Sequence, residues 1–136
     1  MGCDILMHVQ IKNPENDLWD FIQENVFDDR DYELFTILDG TRGTPGIIPI
    51  SDPKGFPDDS ADKLMPANGY DNDYTTEFGV YLGYAGVSYL TVTELMSYDW
   101  SQKKGSFVEE ILPHLHGLAQ VHGGPDNVRI VFGYTV

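Results

Sequence analysis

The stretch Met1-Gly2-Cys3-Asp4-Ile5-Leu6-Met7-His8-Val9-Gln10-Ile11 decides the fold. Ile5, Met7, Val9 and Ile11 alternate with Leu6, His8 and Gln10, the period-two pattern of a strand with one strongly apolar face. Leu6 lends the second face some apolar character, so that face is expected to be partly covered too. At the far end of the sequence Val128, Ile130, Phe132 and Tyr134 alternate in the same way. Two such strands place both ends of the chain in one sheet.

Between them the signals are mixed. Asn13-Pro14-Glu15-Asn16 is a turn. Leu18 to Phe27 fits two templates: Trp19, Ile22 and Val26 have helical spacing with Asp17 as a cap, while Trp19 and Phe21 also suit a strand. Arg30 to Leu38 reads as a short helix with Leu34, Phe35 and Leu38 inward and Gly40 as its stop. Phe78 to Tyr84 fits a short strand or an aromatic loop. Thr91-Val92-Thr93-Glu94 has the spacing of a capping box and predicts a helix to about Trp100. Ser106-Phe107-Val108-Glu109 repeats that spacing and opens a helix towards His122, closed by Gly123-Gly124. Phe107, Ile111, Leu115 and Leu118 form its inward stripe, and Pro113 predicts a bend or an irregular turn.

From about residue 41 to 77 periodicity vanishes. Pro45, Pro49, Pro53 and Pro57 recur every fourth residue, with Gly43, Gly46 and Gly55 between them. Proline lacks a backbone donor and glycine costs entropy, so neither helix nor central strand is credible there. The expectation is therefore one α+β domain over residues 1–136. A small mixed or antiparallel sheet would hold both terminal strands under two or three helices, and a long Pro/Gly-rich loop would leave it as an excursion.

Composition narrows the function. The 136 residues include 22 acidic and 8 basic side chains, a formal charge of −14. Such a surface repels phosphates and disfavours direct nucleic-acid binding, while suiting a protein partner with a basic groove. A single cysteine cannot form an internal disulfide, which fits a reducing compartment. No apolar run approaches the ~18 residues of a membrane span, and no basic, apolar leader is expected. Gly2 suggests myristoylation, but Leu6 stands where that pattern wants Ser or Thr.

Candidate chemistry is sparse. Cys3, Asp4 and His8 are close in sequence, yet Cys3 and Asp4 point to opposite faces of a strand, and Asp4 and His8 are far apart along it. His114 and His116 diverge on a helix, and Asp71, Asp73 and Glu77 lack the ligand ladder of a calcium loop. No nucleophile elbow is present, and Gly40-Thr41-Arg42-Gly43-Thr44 lacks the lysine of a phosphate loop. Arg30, Arg42 and Arg129 are expected to pair with carboxylates. No catalytic set, metal site or cofactor is expected.

Five blocks carry a resemblance: Met1-Gly2-Cys3-Asp4-Ile5; Arg30-Asp31-Tyr32-Glu33-Leu34-Phe35; Pro49-Ile50 with Lys54-Gly55-Phe56-Pro57-Asp58-Asp59; Tyr89-Leu90-Thr91-Val92-Thr93-Glu94-Leu95; and Asp126-Asn127-Val128-Arg129-Ile130-Val131-Phe132. In this order they resemble a family of small uncharacterised tailed-bacteriophage and prophage proteins that begin Met-Gly-Cys-Asp-Ile-His. The resemblance implies a phage setting and the cytoplasm of an infected bacterium, and no reaction. Leu6 replaces the family's histidine, and Ala85-Gly86-Val87-Ser88-Tyr89-Leu90 replaces its His-Ser-x-Ser-Trp-Leu, so a histidine-based site in relatives would be lost here.

The leading expectation is a non-enzymatic accessory protein that binds a host or phage macromolecule. Its contact surface would be the acidic, aromatic stretch from Asp52 to Tyr89: Asp58, Asp59, Asp62, Tyr70, Asp71, Asp73, Tyr74, Glu77, Tyr81 and Tyr84. Inhibition of a defence or nucleic-acid-handling protein by charge mimicry is one form of it. The alternative is a small metal-dependent hydrolase or nucleotide-binding protein with a polar site at Cys3, Asp4, His8 and Arg42. A self-associating protein, in its simplest form a homodimer, is a third reading.

Overall fold

In the computed structural model, which describes residues 2–66 and 73–135, four strands form one sheet: β1 (Asp4–Lys12), β2 (Trp19–Phe27), β3 (Ala85–Thr91) and β4 (Val128–Thr135). Their order is β2-β1-β4-β3, and every neighbouring pair is antiparallel. The two terminal strands are the central ones, in unbroken register from Asp4 opposite Thr135 to Ile11 opposite Val128. The protein is α+β, as the alternating ends predict.

Odd-numbered residues of β1 and even-numbered residues of β4 build the main core. Ile5, Met7 and Val9 meet Val128, Ile130, Phe132 and Tyr134, all buried. Three helices cover this face: α1 (Tyr32–Asp39), α2 (Val92–Met96) and α3 (Leu112–Val121). They contribute Leu34, Phe35, Leu38, Val92, Leu95, Leu112 and Leu115, with Phe107 from the turn before α3. Each such side chain, fully buried, contributes about 1.5–3 kcal/mol of transfer free energy.

Local chemistry sets the helix ends. Asp31 caps α1 by accepting from Leu34 N, and Gly40, at φ 84°, closes it with a bond to Thr36 O. Thr91 and Glu94 form the expected capping box of α2. That helix stops at Met96, short of the predicted Trp100. Ser97 Oγ donates to the Glu94 carbonyl, and the Trp100 indole folds back to donate to Leu95 O. The second predicted box is absent. Ser106 turns to the Asp29 carboxylate, and Phe107–Ile111 forms a π turn leading into α3. Pro113 accounts for this irregularity, because it has no N–H with which to continue the ladder.

Trp19–Phe27 is a strand, with Asp17 in the turn before it rather than capping a helix. Ala85–Thr91 is a strand that its mixed composition does not announce. Residues 78–84 form no strand; only an isolated bridge joins Thr75 to Tyr81.

The excursion at 41–77 has a definite course among the described residues. Ile50 N bonds to Ile37 O beside α1, and Lys54 N bonds to Ser88 Oγ at the β3 edge. The chain then crosses the face opposite the helices. Phe56 and Leu64 pack there on Leu82, Val87 and Val131. Asp59–Ala61 reaches the β2 edge and bonds to Trp19. Residues 78–84 follow it onto this face, and Gly133 permits their close approach, because a Cβ there would collide with the Leu82 carbonyl. Both faces of the sheet are thus covered, one by helices and one by irregular backbone.

Candidate binding surface

Irregular backbone holds one shape only where something pins it, and here three polar groups do. The first is Arg129 on β4, whose side chain is 3% exposed. Its guanidinium lies between the Trp19 ring, 4.1 Å from the centroid, and the Tyr89 ring, at 5.0 Å. Nε donates to Gln10 Oε1 at 2.8 Å. Nη2 stands 2.9 Å from Asp59 Oδ1, but too far off line for a hydrogen bond, so that contact is an ion pair. Burial lowers the pKa of Arg129, and Asp59 beside it opposes the shift. Gln10 in turn donates to Ser60 Oγ, and Ser60 donates to the Asp62 carbonyl.

The second is Asp62, 3% exposed. Its carboxylate accepts from Thr76 Oγ1 at 2.5 Å and from Phe78 N at 3.0 Å, while Thr76 Oγ1 accepts from Val80 N. This closes the hairpin-like turn that carries Glu77, Phe78 and Gly79. The third is His8. Its Nδ1 accepts from Asn25 N, which leaves the ring proton on Nε2, where it donates to Tyr81 O at 2.8 Å. Burial holds the imidazole pKa below its ordinary value, and a proton on Nδ1 would face the Asn25 N–H.

Four aromatics of this pinned segment and its continuation point outward. Phe78 is 78% exposed, and Tyr74, Tyr81 and Tyr84 are each partly exposed. Beside Phe78 lies a groove of about 320 Å³ between the segment and β2, lined by Asp20, Phe21, Glu24, Asp62, Phe78 and Val80. Asp20 and Glu24 make its rim acidic, and Phe21, Phe78 and Val80 give it apolar walls.

The expected contact residues divide. Asp58, Asp73, Tyr74, Glu77, Tyr81 and Tyr84 are on the surface. Asp59 is half-exposed and pairs with Arg129, and Asp62 is buried as an internal staple. Tyr70 and Asp71 lie outside the described residues. Asp20, Phe21 and Glu24 escape the sequence reading because they precede the acidic stretch and sit in the segment that fits helix and strand equally. Reading β2 as a strand would have placed Phe21 beside Gln10, on the face the excursion covers.

The alternative polar site does not assemble. Cys3 is buried on the helix face, where its N–H donates to Tyr32 Oη, and Arg42 stacks on the same tyrosine 4.6 Å from the ring centroid. Asp4 points the other way and pairs with Arg30 at 2.5 Å, which holds its carboxyl below the usual range. His8 is on the opposite face of the sheet from Cys3, under Tyr81. A separate polar cluster surrounds Asp39 at the end of α1. Oδ1 accepts from Tyr134 Oη and Thr41 N, burial pushes the Asp39 carboxyl up, and Oδ2 is buried without a hydrogen-bond partner among the described residues. Among the described residues no three Cys, His or carboxylate side chains converge as metal ligands, and no helix is long and apolar enough to cross a membrane. Compared with protein-family models, curated proteins and solved structures, the chain matches none.

Proposed function

We propose that this chain is a non-enzymatic binding protein whose contact surface is the pinned, acidic, aromatic face centred on Phe78. The observation that carries the reading is the combination at that residue. A phenylalanine 78% exposed sits on a turn fixed by a buried carboxylate, at the rim of an acidic groove. A large apolar side chain held rigidly in water is a preformed anchor, since little ordering entropy is lost when a partner covers it. The net charge of −14 directs such a surface to a basic protein. In the phage setting that the sequence resemblance implies, the partner is a host defence or nucleic-acid-handling protein, met in the bacterial cytoplasm. The acidic face then occupies the surface that nucleic acid uses.

The test is capture from bacterial lysate on the immobilised chain, with Phe78→Ser as control. The reading expects a basic protein that elutes as salt rises and is lost with the variant. Capture indifferent to both salt and Phe78 would overturn it.

A further inference from the structure

We propose that the groove beside β2 receives an extended basic segment of the partner, which adds to the sheet as a fifth strand. The inference rests on reading this face as the contact surface and specifies how contact is made. β2 is an edge strand. Among the described residues its outer side is paired at Trp19 alone, whose N–H bonds Asp59 O at 3.0 Å and whose carbonyl accepts from Ala61 N at 2.8 Å. Trp19 therefore turns both backbone polar groups away from β1. Strand alternation turns those of Phe21 the same way, and no described backbone group meets them. The covering chain leaves the edge at Asp62, whose carboxylate is committed to Thr76 and Phe78. An open ladder position next to a groove is the geometry of strand addition: main-chain bonds supply affinity, and the groove selects a side chain.

The groove favours a basic side chain. Asp20 and Glu24 stand on its walls, and neither is in an ion pair among the described residues. An arginine or lysine stem lies along Phe21 and Val80 while its charged head meets the two carboxylates. The exposed Phe78 ring offers that cation a π face. A partner strand with basic residues at alternate positions presents all of them to this side.

The probe is a synthetic hexapeptide of alternating arginine and valine, titrated into the full chain and followed by backbone amide NMR. Three control peptides are used: one with glutamate in place of arginine, and two N-methylated at alternate residues, one in each register. The expected result is shifts confined to residues 20–24 and 76–80, with slowed exchange of the Phe21 amide. Affinity should fall about tenfold or more with Glu24→Lys and with Phe78→Ser, both exposed positions outside the core. N-methylation should abolish binding in one register, the one whose N–H groups face β2, and spare it in the other. Equal binding of both N-methyl registers would remove strand addition, and equal binding of the glutamate peptide would remove charge selection. No binding at millimolar peptide, or shifts centred elsewhere, would overturn the proposal outright. Each of these leaves salt-dependent, Phe78-dependent capture from lysate standing, so the two ideas fail separately.

Discussion

Replacing Arg129 by methionine tests whether the excursion is held down by a buried cation rather than by its apolar contacts. The substitution keeps most of the apolar stem and removes the guanidinium. Gln10 Oε1, fully buried, loses its donor at 2.8 Å, which costs about 1–3 kcal/mol. The stacking on Trp19 and Tyr89 is lost as well, at about 0.5–2 kcal/mol for each ring. Relief of the charge's own desolvation offsets part of this. The net loss is about 2–4 kcal/mol, roughly 10 °C in Tm for a chain of this size. Asp59 is 49% exposed and its contact with Nη2 is off line, so Asp59→Asn should cost under about 1 kcal/mol. Arg129→Lys keeps the charge but not the planar fork, and should lie close to the methionine variant. Urea unfolding followed by tryptophan fluorescence reads all three. Arg129→Met within about 0.5 kcal/mol of the parent, or Asp59→Asn as damaging as Arg129→Met, would refute the reasoning.

His8 should make stability depend on pH. Its folded pKa is depressed by burial, so the unfolded chain binds the proton more readily. The stabilisation is complete above the ordinary value near 6.5 and declines as pH falls below it, with a slope approaching about 1.4 kcal/mol per unit. The stability difference between the parent and His8→Gln should be constant above that pH and shrink below it; a flat difference down to pH 5 contradicts the assignment. Asp62→Asn puts an NH2 group in place of one carboxylate oxygen, so either the Thr76 hydroxyl or the Phe78 amide loses its acceptor. It should cost about 1–3 kcal/mol and speed hydrogen exchange of the Phe78 and Val80 amides, where unchanged exchange would deny the staple. Gly133→Ala drives a methyl into the Leu82 carbonyl and should destabilise by about 2–4 kcal/mol in thermal melts, whereas a neutral result would mean that the segment carrying Leu82 lifts off the sheet at little cost.

The central strands were legible because the face against the helices is wholly apolar, while the other face, though also buried, carries His8, Gln10 and Arg129, so apolar residues still recur at period two. The capping box at Thr91 was legible because it is local chemistry, complete within four residues. The box at Ser106 has the same spelling and fails, since Pro113 downstream removes a donor and the turn widens to accommodate it. Edge strands were harder. β3 carries an irregularity between Ala85 and Ser88, with Gly86 at φ 66° against the Tyr134 ring, so its inward residues do not alternate. The pins of the excursion were beyond local reading altogether. Arg129 and Gln10 are 119 residues apart, and nothing near either signals the other. Of the acidic residues expected on the surface, Asp62 is spent on internal hydrogen bonds, while Asp20 and Glu24, outside that stretch in sequence, line the groove beside it.

β2 shows why ambiguity in sequence and availability in structure coincide. Its middle residues alternate poorly because neither face is deeply buried there, and its register slips twice against β1. A strand with an open edge and little side-chain burial invites pairing with any extended chain, including another copy of itself. The acidic residues at Asp20 and Glu24 discriminate between those partners. A second copy brings the same carboxylates and a net charge of −14, so β2-to-β2 pairing sets like charges side by side. A basic strand meets the opposite field. In the proposed strand addition, the charges that oppose β2-to-β2 pairing are the same ones that favour a basic strand, so a single pair of side chains would serve both ends.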